Sequence, residues 1–119
     1  MSDKAAADLL RNAADLLRHT GDHATPGPWR DLPMGSDGSV VLAGGNTIRT
    51  ARRPARCGEF ADASWIALAN PLIAGPLAAL MEEAASDIDH NGAHPFKYGN
   101  AISIATAIVS RPDTEETPA

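Results

Sequence analysis

The chain opens with apolar residues spaced as on one face of a helix. Leucine and alanine recur at intervals of three and four between residues 3 and 19, the spacing that places them on a common face. Ser2 can cap the start of this helix, and Gly21 is suited to end it in a left-handed turn. We therefore predict an amphipathic helix over residues 3–19.

Short runs of β-branched and aromatic residues follow the Pro26–Pro28 turn. The runs Trp29–Leu32, Ser39–Ala43 and Thr47–Thr50 have strand character and are separated by glycine-rich turns. They predict a small three-stranded antiparallel meander. The residues expected on its buried face are Trp29, Val41 or Val40, and Ile48.

Helical periodicity returns from about Asp62 and continues to Ile88. It places Trp65, Ile66 and Ala69 on one face. Two helix-start signals interrupt this stretch. They are Asn70–Pro71, which looks like a cap followed by a first-turn proline, and Gly75–Pro76. We predict a long helix that kinks or restarts at these points.

The pattern of residues 100–110 fits both a helix face and the alternation of a strand. Helix is the preferred interpretation, because Asn100 can cap it and Pro112 stops it. The fold class is therefore predicted as α+β, with an N-terminal helix, the meander, a long kinked helix and a C-terminal helix. Residues 1–110 are expected to form a single domain and residues 111–119 a disordered acidic tail.

Composition limits the class of protein. The apolar fraction is rich in alanine and poor in aromatic residues, so the core buries little area per side chain and a homodimer is expected to supplement it. The net charge of −5 argues against nucleic acid or anionic membrane as the main partner. A single cysteine, Cys57, suits a reducing compartment. The stretch Pro71–Met81 is too short to cross a bilayer. We expect a soluble, cytoplasmic protein without a cofactor.

Two motifs point to a family. The segments Ala24–Trp29 (ATPGPW) and Ala61–Ala67 (ADASWIA), the latter followed by Asn70–Pro71, resemble small proteins of phage early regions and actinobacterial prophages, often labelled Ead-like. The resemblance covers roughly residues 5–85. It implies an accessory product of a mobile genome, and it carries no known reaction, ligand or catalytic residue.

Four arginines form a positive island in an otherwise acidic chain: Arg49, Arg52, Arg53 and Arg56. Guanidinium groups bind phosphates and carboxylates bidentately, so a loop over residues 51–59 could gather them on one anion. The plain alternative is a solvated loop whose charges pair with acids of the fold. An acidic protein, a nucleotide or a nucleic acid are the possible external partners, although nucleic acid is not favoured because no reader motif accompanies the arginines.

Trp29 follows two prolines, which predicts a packing residue at a stiff corner. An exposed Trp29 that stacks on a partner is the alternative, and we include it with the arginines as a candidate binding residue. Noncatalytic binding is therefore the preferred function.

Signals for catalysis are weak. The pairs His19/His23 and His90/His94 have the spacing of metal ligands on a helix, but glycine or proline near each pair predicts turns, so no metal site is expected. A metal-dependent hydrolase that uses His90, His94 and a nearby aspartate is the enzyme alternative. Cys57 lies next to Arg56 and could act as a nucleophile together with a histidine, but no recognisable local signature surrounds it, so a small packing side chain is the preferred interpretation.

Overall fold

A computed structural model describes residues 1–35, 38–44, 51–92 and 95–110. The elements follow the predicted α+β order: helix, three-stranded antiparallel sheet, long interrupted helix and C-terminal helix. The helices are α1 (Asp3–His23), α2 (Phe60–Leu68), α3 (Ala74–Asn91) and α4 (Pro95–Val109), and the strands are β1 (Trp29–Pro33), β2 (Ser39–Ala43) and β3 (Arg52–Cys57). The predicted tail at residues 111–119 lies outside the described residues.

The chain divides into two compact units. Unit 1 comprises Met1–Arg18 and Leu77–Ala119, and unit 2 comprises His19–Pro76. The core of unit 1 is built from small side chains around Leu10, Met81 and Ile88. Ala6, Ala13, Ala78 and Ala85 fill the spaces between them. Alanine at these positions lets helix backbones approach closely.

Helix α1 begins as predicted, with the Ser2 hydroxyl accepting a hydrogen bond from the amide of Ala5 at 3.1 Å. It does not end at Gly21, and this prediction is wrong. The helix continues to His23, and Gly21 has another role. A Cβ at residue 21 would lie 2.8 Å from the Cβ of Ala74, so glycine permits a close approach of two chain segments.

Unit 2 is a sheet with the order β1-β2-β3, packed against α2. The central strand β2 is buried along its whole length. Val41 packs with Ala63 and Ala67 of α2, and Trp29 and Ala55 border this cluster. Val41 therefore joins Trp29 at the buried face, as predicted.

The third described strand lies where a loop was predicted. Residues 52–57 form β3, antiparallel to β2, whereas the predicted strand Thr47–Thr50 lies outside the described residues. An edge strand tolerates arginines and a proline, because half of its backbone groups need no partner. Because β3 contains arginines and Pro54, it lacks the apolar pattern by which strands are predicted from sequence.

The long helix is interrupted once. Asn70 caps a 3-10 turn at Pro71–Ile73, as predicted, by accepting a hydrogen bond from the amide of Leu72 at 2.9 Å. The chain restarts as α3 at Ala74, and Gly75 and Pro76 lie in its first turn. Helix α4 confirms the helical interpretation of the C-terminal segment. It begins at Pro95, so Asn100 lies inside the helix and not at its cap.

Candidate functional site

Large apolar side chains are exposed along one short segment of unit 2. Phe60, Trp65, Leu68, Leu72 and Ile73 have exposed fractions between 44% and 68%. We call these five residues the apolar ridge. Exposed large apolar side chains that form a contiguous patch commonly mark an interaction site.

Helix α2 turns Trp65 outward because alanine occupies its inner side. Ala63 and Ala67 are buried against the sheet, and at 100° per residue Trp65 lies on the opposite side of the helix. The Ser64 hydroxyl donates a hydrogen bond of 2.5 Å to the carboxylate of Asp31 on β1, which holds this orientation. The prediction that Trp65 and Ala69 share the packed face with Ile66 is therefore wrong, since both are exposed.

The second half of the ridge is fixed by the corner before β1. Asn70 donates a hydrogen bond of 3.0 Å to the carbonyl of Ala67 while it caps the 3-10 turn. Gly27 lies against this cap: a Cβ there would lie 2.5 Å from Oδ1 of Asn70 and 2.8 Å from Cγ of Leu72. Gly27, between the two prolines, is therefore needed because a side chain there would collide with Leu72.

The ridge carries almost no charge. Between Phe60 and Pro76, Asp62 is the one charged residue. Unit 2 as a whole has five Lys/Arg and five Asp/Glu, whereas unit 1 has five and ten. The entire formal charge of −5 therefore belongs to unit 1, and no net charge of unit 2 repels a neighbour from the ridge.

The arginine island is a strand and not a loop. Arg52, Arg53 and Arg56 are exposed on β3, and Arg49 lies outside the described residues. Arg52 is paired with Ala43 and Arg56 with Val40, and an irregularity in the pairing lies between them. Ala43 and Val40 are three residues apart on β2, and successive residues of a strand point to opposite faces. Arg52 and Arg56 therefore lie on different faces of the sheet.

Trp29 is half-buried at the edge of the sheet. Its side chain packs beside Val41, and its indole nitrogen donates a hydrogen bond of 2.8 Å to the carbonyl of Thr25. This hydrogen bond connects Trp29 to the residue that precedes the Pro26–Pro28 turn. Cys57 packs against the same cluster.

The first histidine pair lies on a helix and not on the predicted turn, and only one member of the second pair is among the described residues. His19 and His23 both lie in the last turns of α1, with ring centroids 4.5 Å apart. His90 is on α3, with Nδ1 2.7 Å from the carbonyl oxygen of Ser86, and His94 is outside the described residues. No cluster of three His, Cys, Asp or Glu side chains suited to a metal occurs among the residues that the structure describes.

Unit 1 has an open groove of about 500 Å³ between α3 and α4. Its apolar wall includes Leu80, Tyr98 and Ile104. At its rim, the carboxylate of Asp87 accepts hydrogen bonds from Asn91 at 2.5 Å and Lys97 at 3.3 Å. The bond from Asn91, and then that from Lys97, hold the pKa of Asp87 below its ordinary value.

One helical stretch in the described part of the chain, Phe60–Asn91, has a length and a mean hydropathy of 1.5 that would suit a membrane span. The stretch is divided between α2, the 3-10 turn and α3. It also contains the ridge and part of the core of unit 1. This pattern fits a soluble protein with exposed apolar surface.

Comparisons with protein-family models, curated proteins and solved structures found no match. The phage-type resemblance therefore stays a prediction, and the candidate sites depend on the geometry of this chain alone.

Proposed function

We propose that the protein is a noncatalytic binding protein of the phage or prophage accessory type, and that the apolar ridge is its protein-binding surface. The observation that supports this most directly is Trp65, a large aromatic side chain that is 68% exposed on a helix held in place by its opposite side. Tryptophan is enriched at the energetic centres of protein interfaces. The cytoplasm of the host cell is the proposed location.

A second copy of the chain is the proposed occupant of the ridge. Five large side chains of this exposure present on the order of 500 Å², a fair share of the roughly 800 Å² that each partner buries in a stable interface. A surface with one charged residue meets its own copy without repulsion, which a two-fold interface requires. The apolar residues Met81, Ala84 and Ile88 of α3 are buried in the core of unit 1, so we place the expected dimer interface on the ridge and not on α3.

Site-specific photocrosslinking tests this proposal. The full-length protein would carry a benzophenone amino acid in place of Leu68 on the ridge, or in place of Ser103, which is exposed on α4, as the matched control. We expect irradiation at micromolar concentration to give a two-copy product from position 68 only. Mass spectrometry would map its crosslink to residues 60–73 of the other copy.

Other outcomes would overturn parts of the proposal. A crosslink from position 68 to a different, identified host protein would keep the binding function and reject the second copy as the occupant. Crosslinks to lipid in the presence of neutral vesicles, without any protein product, would replace protein binding with membrane docking. Equal yields from positions 68 and 103 would reject the ridge altogether.

A second candidate function is capture of an anionic ligand such as a nucleotide by the arginines of β3. It is favoured by one observation: none of the ion pairs among the described residues includes Arg52, Arg53 or Arg56. Titration with ATP and with inorganic phosphate at two salt concentrations tests it. Binding that weakens with salt and is lost in the double variant Arg52→Ala/Arg53→Ala would support it, and equal affinities would reject it.

A further inference from the structure

Two histidines stand one helical turn apart at the end of α1. His19 and His23 are both exposed, and residues at positions i and i+4 of a helix lie on the same face. Their ring centroids are 4.5 Å apart, and the ring planes are tilted by 43°. Two imidazoles at this separation can place one nitrogen each on a common ion after small rotations of the side chains.

The ring of His23 is already oriented for coordination. Its Nδ1 lies 2.8 Å from the carbonyl oxygen of His19. A carbonyl oxygen only accepts hydrogen bonds, so the neutral ring carries its proton on Nδ1 and donates it. Nε2 then keeps its lone pair free. Histidines that bind metals commonly have this arrangement, with the second ring nitrogen donating to a backbone carbonyl.

The turn that carries both rings is held by packing. Gly21 lies between the two histidines, and its approach to Ala74 leaves no room for a side chain. The helix therefore continues through the glycine that would otherwise end it. Because the backbone is fixed, a bound ion would not have to order a flexible segment first.

We propose that His19 and His23 form a two-imidazole chelate for a divalent transition-metal ion. Imidazole nitrogen suits Zn²⁺, Ni²⁺ and Cu²⁺, and the affinity order is expected to follow Ni²⁺ < Cu²⁺ > Zn²⁺. The chain supplies two ligands, since the described residues contain no cluster of three, and water completes the coordination. The exposed carboxylate of Asp22, in the same turn, adds favourable negative charge near the ion.

Calorimetric titration of the full-length protein with ZnCl₂ and NiCl₂ in a non-coordinating buffer tests the chelate. We expect one ion per chain and a loss of affinity of at least about 10-fold in either His19→Gln or His23→Gln, the smaller end of the effect of changing even supporting residues at metal sites. His90→Gln is the matched control. His90 makes the same hydrogen bond to its own helix, and its variant should bind as the wild type does.

A spacing variant separates chelation from the mere presence of two histidines. Thr20→His/His23→Gln keeps two imidazoles on exposed positions of the same turn, but residues i and i+1 do not face each other. We expect its affinity to fall to that of the single variants. Binding as tight as in the wild type, in this variant or in His19→Gln/His23→Gln, would overturn the proposal, and so would an equal loss in His90→Gln. Unchanged circular dichroism without metal would show that the variants are folded.

Discussion

The two units of this chain differ in their net charge and in the burial of their large apolar side chains. Unit 1 has all the net negative charge and buries its alanines together with Leu10, Met81 and Ile88. Unit 2 is neutral, buries a smaller cluster around Val41, and leaves Trp65 and Leu68 in solvent. Charge on unit 1 favours solubility, whereas neutrality of unit 2 permits association. The buried large side chains of unit 1 therefore stabilise its core, whereas recognition is the role that we propose for the exposed ones of unit 2.

The largest expected effect comes from a comparison of one leucine from each unit. Leu10→Ala should lower the free energy of unfolding by about 4 kcal/mol, because Leu10 is fully buried and its removal leaves a cavity. Leu68→Ala removes the same atoms from a side chain that is 68% exposed and should change stability by less than about 0.5 kcal/mol. Urea denaturation measures both. Comparable losses would show that the ridge is structural.

The two tryptophans of unit 2 provide the next comparison. Trp29→Ala should cost about 3 kcal/mol, since it removes a packed aromatic ring and its hydrogen bond to Thr25. Trp65→Ala should leave stability nearly unchanged while it lowers the mass that sedimentation reports at high protein concentration. If Trp65→Ala destabilised the protein as much as Trp29→Ala does, the assignment of Trp65 to a binding surface would fail.

Gly27 and Gly99 test whether the close approach at the corner is required. Gly27→Ala would push a Cβ against Asn70 and Leu72 and should cost about 2 kcal/mol through overpacking. Gly99 is exposed inside α4, and a Cβ added there would meet no heavy atom within 4 Å beyond its own helix turn. Gly99→Ala should therefore raise stability by about 0.5–1 kcal/mol. Thermal unfolding measures the stability of both variants. If Gly27→Ala raised stability as Gly99→Ala does, the close approach at the corner would be contradicted.

The smallest effect concerns the groove of unit 1. Because Asn91 and Lys97 lower the pKa of Asp87 from 3.8, ionised Asp87 stabilises the fold above that pH, and this contribution is lost as the pH falls through the lowered value. Asp87→Asn should therefore flatten the decline of stability in acid, and Asn91→Ala should flatten it in part. Unfolding curves between pH 5 and pH 2 that run parallel in all three proteins would contradict this.

Regular apolar spacing made most elements predictable. The starts of α1 and the 3-10 turn follow from the side chains of Ser2 and Asn70, and strand β2 lies where its β-branched run predicts it. Strand β3 could not be found in this way, because an exposed edge strand has no apolar pattern. The helix through Gly21 depends on a contact with Ala74, which no local pattern contains.

The candidate sites were less accessible to sequence reasoning. Periodicity shows that Trp65 belongs to a helix, but not that Ala63 and Ala67 face the sheet in its place. The alanines were the available signal, since a helix that packs closely on a sheet needs small residues at the contact. Similarly, the spacing of His19 and His23 is visible in the sequence, but the predicted helix end at Gly21 placed the pair on a turn, whereas both residues lie in α1.

Strand β3 also limits the routes by which this protein can polymerise. An unpaired strand edge is a template onto which another chain can add a strand, and such addition leads to fibrils. In the described sheet, β3 occupies one edge, and it exposes Pro54 together with Arg52 and Arg56. Proline withholds a backbone donor, and like charges would be stacked at close spacing in a growing fibril. We therefore expect β3 to act as a gatekeeper that disfavours the addition of a strand at its own edge of the sheet.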